Sequence, residues 1–193
     1  MKYPVKCIAP LLTLIFIGAG CGRGVTTPAA RPPVVAPAAP APVTSGPCPL
    51  TEALVREHCT VISPLVTTEA PFARCVISIK PGIIPIPLIA LFERPWLPNQ
   101  RALATTNVPT LSETTVMLPS WDVAGLGDLA FITPFFDPTD TLATLESGDG
   151  FNLYIKTGDL THHLVSYGRA TTGTADLCGI DATKALAQDI LGE

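Results

Sequence analysis

Residues 151–168 read FNLYIKTGDLTHHLVSYG, and this stretch sets the expectation for the fold. Residues 151–157 alternate, with Phe151, Leu153 and Ile155 at every second position, as one face of a half-buried strand requires. Gly158-Asp159 turns the chain, and residues 161–168 read as the returning strand of a hairpin. Downstream, residues 177–191 (LCGIDATKALAQDIL) carry a helical stripe of Cys178, Ala182, Leu186 and Ile190, with Asp181, Lys184 and Gln188 on the wet side. Upstream, Gly125 and Gly127 mark a tight turn before a strand at 129–133, with a further strand expected at 113–118. Residues 81–98 (PGIIPIPLIALFERPWLP) are too rich in proline for a regular helix, and 86–92 is expected as an edge strand. Residues 74–79 alternate as a strand, and 49–59 (PLTEALVREHC) read as a helix. The expected fold is α+β: an antiparallel sheet with the N- and C-terminal helices packed together on one face.

The chain has 193 residues, and its 21 prolines and 15% charged residues are unevenly placed. Lys2 and Lys6 precede an uncharged apolar run at 7–20, too short to span a bilayer and interrupted by Pro10, so residues 1–20 read as a signal peptide. Ile17-Gly18-Ala19-Gly20-Cys21 resembles the lipobox of bacterial lipoproteins, with Gly18 where leucine is usual. That resemblance implies cleavage before Cys21 and its acylation; plain secretion is the alternative. Residues 22–47 (GRGVTTPAARPPVVAPAAPAPVTSGP) cannot form a core and favour extended polyproline II, a tether reaching up to roughly 80 Å. Residues 48–193 then form a single domain.

Acylation of Cys21 leaves Cys48, Cys59, Cys75 and Cys178 for an oxidising compartment, hence two disulfides. Of three connectivities, Cys59–Cys75 and Cys48–Cys178 are expected. The first closes a short loop between a helix end and an early strand, and the second ties the start of the domain to its last helix. All 16 acidic residues lie in 48–193 against eight Lys and Arg, a formal charge of −8, so nucleic acid is excluded as a partner.

The order of features is lipobox-like signal, Pro/Ala tether, a Cys opening a helix, a Cys-bearing strand, VAGLGDLAF, a terminal hairpin and a helix beginning LCGIDATKALA. In this order the chain resembles the actinobacterial, mycobacterial-type cell-envelope lipoproteins whose C-terminal domain has no assigned function. The resemblance implies a lipid anchor on the outer face of the cytoplasmic membrane and the α+β plan. It implies no reaction.

Candidates for chemistry are few. His162 and His163 are adjacent on a strand, so they point to opposite faces and cannot share one metal. His58 stands near a helix end, where a cation suits the dipole. Asp137, Asp140, Glu146 and Asp149 lack the spacing of a calcium loop. The turn at 125–127 lacks the third glycine of a dinucleotide site and the lysine of a phosphate loop, and no nucleophile signature is present. No cofactor or metal is implied. The feature with binding potential is the apolar run after Pro81, where Ile83, Ile86, Ile89, Phe92 and Trp96 are expected to line a groove, the alternative being a buried strand. The expected function is that of a membrane-tethered, non-catalytic module binding an envelope protein or an apolar or glycolipid ligand; the alternative is an envelope hydrolase with an unrecognised site.

Overall fold

Alternation and a glycine turn build the hairpin that organises the sheet. Its two strands face each other residue for residue from Phe151↔Ser166 to Thr157↔Leu160, and Gly158 takes the left-handed conformation (φ 58°) that so tight a reversal needs. The computed structural model describes residues 47–68, 73–106 and 116–193. The signal peptide, Cys21, the tether up to residue 46 and the first half of the strand expected at 113–118 lie outside the described residues.

In chain order the elements are α1 (Glu52–His58), β1 (Leu65–Thr68), β2 (Cys75–Ile79), β3 (Ile86–Pro95), α2 (Gln100–Thr105), β4 (Trp121–Val123), β5 (Leu129–Pro134), α3 (Leu142–Ser147), β6 (Phe151–Thr157), β7 (Leu160–Ser166), α4 (Gly168–Thr172) and α5 (Ile180–Leu191). The seven strands form one sheet in the order β1-β2-β3-β7-β6-β5-β4, with every pair antiparallel. The α+β class is therefore as the sequence indicates, with α1 and α5 packed together over one face.

That helix-covered face holds the main core. Ile77, Ile89, Leu91, Leu153, Ile155 and Leu164 from the sheet are wholly buried against Val55 of α1, Leu145 of α3 and Leu186 of α5. Thr51 starts α1 by accepting a hydrogen bond from Leu54 N–H (3.2 Å). The start of α5 is capped from outside: the Glu146 carboxylate at the end of α3 accepts from Ile180 N–H (2.7 Å) and Asp181 N–H (3.4 Å). A small second cluster, Val76, Ala90 and Val165, lies on the opposite face.

Three expectations need correction. First, 86–92 is no edge strand: β3 pairs with β2 on one side and β7 on the other. The prolines are tolerated because the β2–β3 register shifts beside Pro87, where Ser78 opposes Pro87 and Leu88 is the extra residue, so a missing N–H falls at the irregularity. Second, the strand entering the two-glycine turn is β4; of the segment expected as a strand at 113–118, the described residues 116–118 meet the end of α2, Met117 bridging to Thr106 and Leu118 N–H donating to Thr105 O at 2.8 Å. Gly127 must be glycine there, since its φ is 52° and a Cβ would meet Lys156 O at 2.4 Å.

Third, the disulfides are Cys48–Cys75 and Cys59–Cys178, not Cys59–Cys75 and Cys48–Cys178. The cause is an isolated antiparallel bridge between Thr60 and Leu177, whose N–H groups donate to each other's carbonyls at 2.9 and 2.8 Å. In that register Cys59 stands opposite Cys178. The buried Asp176 carboxylate fixes the same segment by accepting from Ile62 N–H (2.6 Å), Ser63 N–H (2.9 Å) and Ser63 Oγ (2.6 Å). Burial alone would raise the Asp176 pKa; the hydrogen bonds from Ser63, Ile62 and Thr174 outweigh it and hold the carboxyl below the ordinary range.

Candidate binding site

The face of the sheet turned away from α1 and α5 carries a row of rings. Strand register sets it: Phe92 opposes His163, His163 opposes Tyr154, and Tyr154 opposes Phe131. Side chains at these positions share one face, and the neighbouring strand spacing brings their planes together. The rings stack with centroids 5.3, 4.2 and 4.9 Å apart and interplanar angles of 28°, 12° and 17°. A cation closes each end. The Arg94 guanidinium lies 5.4 Å from the Phe92 centroid, and that of Arg101, from α2, lies 4.9 Å from the Phe131 centroid.

His163 is at the centre of this row. Its Nε2 donates to Asn152 Oδ1 at 3.0 Å. Burial between two aromatic rings, with the Arg94 charge adding to it, pushes its pKa down to about 3, so the ring is neutral at neutral pH. Burial likewise raises the Tyr154 pKa, with Arg94 opposing. The row is thus uncharged along its length and positive at its ends.

Beside it lies a cavity of about 420 Å³, walled by Arg94, Pro95 and Tyr154 from the sheet and by Leu97, Gln100, Leu103 and Ala104 from α2 and the turn before it. Leu97 and Leu103 are 44% and 52% exposed, so the wall facing the sheet is apolar and open to solvent. Its size falls in the range of about 300–1,000 Å³ usual for small-molecule sites. The arrangement can enclose an apolar group while Arg94 meets an acidic one. A second cavity of about 470 Å³ lies on the helix-covered face, among Trp121, Ile132, Leu142 and Ile180. Its three carboxylates are already engaged: Glu146 caps α5, Asp122 pairs with Arg101, and Asp181 lies 3.7 Å from Lys184 Nζ.

The five residues expected to line one groove do not come together. Ile83 is an exposed turn residue, Ile86 packs against the main core, and Ile89 is wholly buried on the helix-covered face. Phe92 is on the opposite face in the ring row, and Trp96 follows the strand, its N–H donating to Asp159 O at 2.7 Å. Strand alternation is the reason, since Ile89 and Phe92 are an odd number of residues apart. Of the five, only Phe92 belongs to the ring row beside the cavity. Sequence reasoning missed Arg94, Tyr154, Leu97 and Leu103, although the spacing of Phe92 and Arg94 by two residues places them on one face.

The histidines are separate. His58 Nε2 meets Asp189 Oδ2 at 2.7 Å outside the core. His162 points to the helix-covered face, opposite to His163, with Nδ1 3.3 Å from Glu93 Oε1; Glu93 also pairs with Arg74. That acidic neighbour was not foreseen from the sequence. In the acidic stretch, Asp137 accepts from Thr139 N–H (2.8 Å) and Thr139 Oγ1 (2.6 Å), and burial together with the charges of Asp149 and Asp137 raises the Asp140 pKa. Among the described residues, no group of three or more His, Cys, Asp or Glu is placed to hold a metal ion, and no helix is long and apolar enough to cross a membrane. Compared with known proteins, the chain matches no family model, no curated protein and no solved structure.

Proposed function

We propose that this protein is an exported, membrane-tethered binding module of the cell envelope, acylated at Cys21 and non-catalytic, whose domain takes an amphiphilic ligand in the cavity beside the ring row. The observation that carries the reading is the pairing of an open apolar wall, Leu97 and Leu103, with the Arg94 guanidinium at one cavity of about 420 Å³. An acyl chain or comparable apolar group fills the wall, and an acidic head group meets Arg94. An envelope protein presenting such a group is the same chemistry on a larger scaffold. A hydrolase would need a base, an acid and a nucleophile in one cleft, whereas His58, His162 and His163 have Asp189, Glu93 and Asn152 as neighbours at three separate places.

Titration calorimetry with palmitate tests the cavity. Saturable binding is expected, weakened about tenfold by Arg94→Gln, the scale of one lost charge-assisted hydrogen bond, and lost in Leu103→Asp. Absence of binding, or binding indifferent to both substitutions, refutes the assignment. The anchor is tested apart from the ligand. Cys21→Ala is expected to release the chain from the membrane fraction, and retention there, or a wild-type chain without lipid mass, refutes acylation.

A further inference from the structure

The turn joining β2 to β3 is apolar and fully outside the core. Its residues 80–85 read KPGIIP, and Ile83 and Ile84 are 93% and 76% exposed. Nothing in the connection of two strands calls for two isoleucines at a solvent-facing tip, and most exposed turns carry polar residues instead. Pro81 and Pro85 bracket the pair and restrict its backbone, so little conformational entropy is lost when the tip is ordered against a surface.

A third exposed apolar residue stands in the adjoining turn. Ile62, between α1 and β1, is 76% exposed. The two turns are joined through the backbone, because Lys80 N–H donates to Pro64 O at 2.8 Å. Arg56 reaches the same place, its Nη2 donating to Ser63 O at 3.3 Å. Two of the domain's eight basic side chains therefore flank three exposed isoleucines, on a domain that carries 16 acidic residues. The carboxylate bonded to this turn, Asp176, is wholly buried and accepts its hydrogen bonds from Ile62 and Ser63 from the inner side.

We propose that this end of the domain seats on an anionic lipid bilayer. Ile62, Ile83 and Ile84 enter the boundary between head groups and acyl chains, and Arg56 and Lys80 stay at the level of the lipid phosphates. Apolar tip and flanking cations are the two requirements of interfacial binding, and Arg56 and Lys80 supply the cations here. The inference is independent of the cavity beside Arg94 and of acylation at Cys21.

Hydrogen exchange at single amides tests it with the full chain, mixed with phosphatidylcholine vesicles containing 30% phosphatidylglycerol or with pure phosphatidylcholine vesicles. The amides of Gly82, Ile83 and Ile84 are expected to exchange about tenfold more slowly on the anionic vesicles than in solution, with no comparable slowing on the neutral ones. Recruitment of the chain to either vesicle through apolar residues near the N-terminus does not protect these three amides. In Ile83→Asp/Ile84→Asp the slowing is expected to vanish while the melting temperature stays that of the wild type, since neither side chain is in the core. Unchanged exchange on anionic vesicles, equal slowing on both vesicle types, or slowing that survives in the double variant overturns the proposal.

Discussion

Replacing His163 with phenylalanine removes from the ring row the one member that titrates in the acid range. In the folded protein the imidazole takes a proton only near pH 3, whereas in the unfolded chain it does so near 6.5. Between these values the unfolded state binds more protons, so stability rises with pH across the window and is lost on acidification. At about 1.36 kcal/mol per pKa unit, this group alone removes about 2 kcal/mol between pH 7.5 and pH 5, and about 3 kcal/mol by pH 4. Phenylalanine keeps a ring between Phe92 and Tyr154 but loses the hydrogen bond to Asn152, a cost of about 1 kcal/mol. The wild type is then the more stable protein at pH 7.5 and the less stable one at pH 5, with the two curves crossing near pH 6. Urea unfolding with the disulfides intact measures both curves. The other histidines and the carboxylates contribute alike to wild type and variant, so the difference between the curves isolates position 163. Parallel curves, or a His163 ring that titrates near pH 6.5 in the folded protein, refute the reasoning.

Two further outcomes follow from the geometry. Non-reducing peptide mapping is expected to recover Cys48 with Cys75 and Cys59 with Cys178, and the Cys59→Ala/Cys178→Ala double variant is expected to lose about 2–5 kcal/mol of stability; recovery of a Cys48–Cys178 peptide contradicts the Thr60–Leu177 bridge. Asp176→Asn is expected to destabilise the fold by about 2–3 kcal/mol at pH 7, because a charged acceptor of three hydrogen bonds is replaced by a neutral amide. Since the native carboxyl titrates below its unfolded value near 3.9, its contribution is present above that value and fades as pH falls through the lower native one; an unaltered acid limb in the variant contradicts this.

The ring row also explains why α2 lies where it does. Arg101 stacks on Phe131 and its guanidinium donates to Ser120 Oγ (3.1 Å) and Asp122 Oδ1 (2.6 Å), so one side chain fastens the helix to β4 and β5. The wall formed by Leu97 and Leu103 is held over Tyr154 by that fastening. A short helix of six residues would not keep such a position by its own propensity.

What the sequence determined by itself was set by period and punctuation. The alternation of 151–157 with Gly158, the stripe of Ala182, Leu186 and Ile190, and the alternation at 74–79 each depend on neighbours a few residues away, and they sufficed for the hairpin, the closing helix and the α+β class; the helix expected from 177 starts only at Ile180, past Cys178, because Leu177 pairs with Thr60. The opposite orientations of His162 and His163 follow from the same local rule. The tertiary structure alone decided what depends on distant partners. Cys59 meets Cys178 because Thr60 and Leu177 pair as an isolated bridge, and a contact between residues so far apart leaves no periodic trace in either segment. The proline-rich 86–95 became an interior strand because a register shift absorbed Pro87, which only the opposing β2 reveals. The apolar run that read as one groove was divided between the two faces of the sheet, and the ring row drew one member from each of four strands, β3, β5, β6 and β7. Local periodicity fixes which face a residue takes within its own strand; which residues share that face across the sheet is fixed by strand order and register, and these are set by the packing of the whole domain.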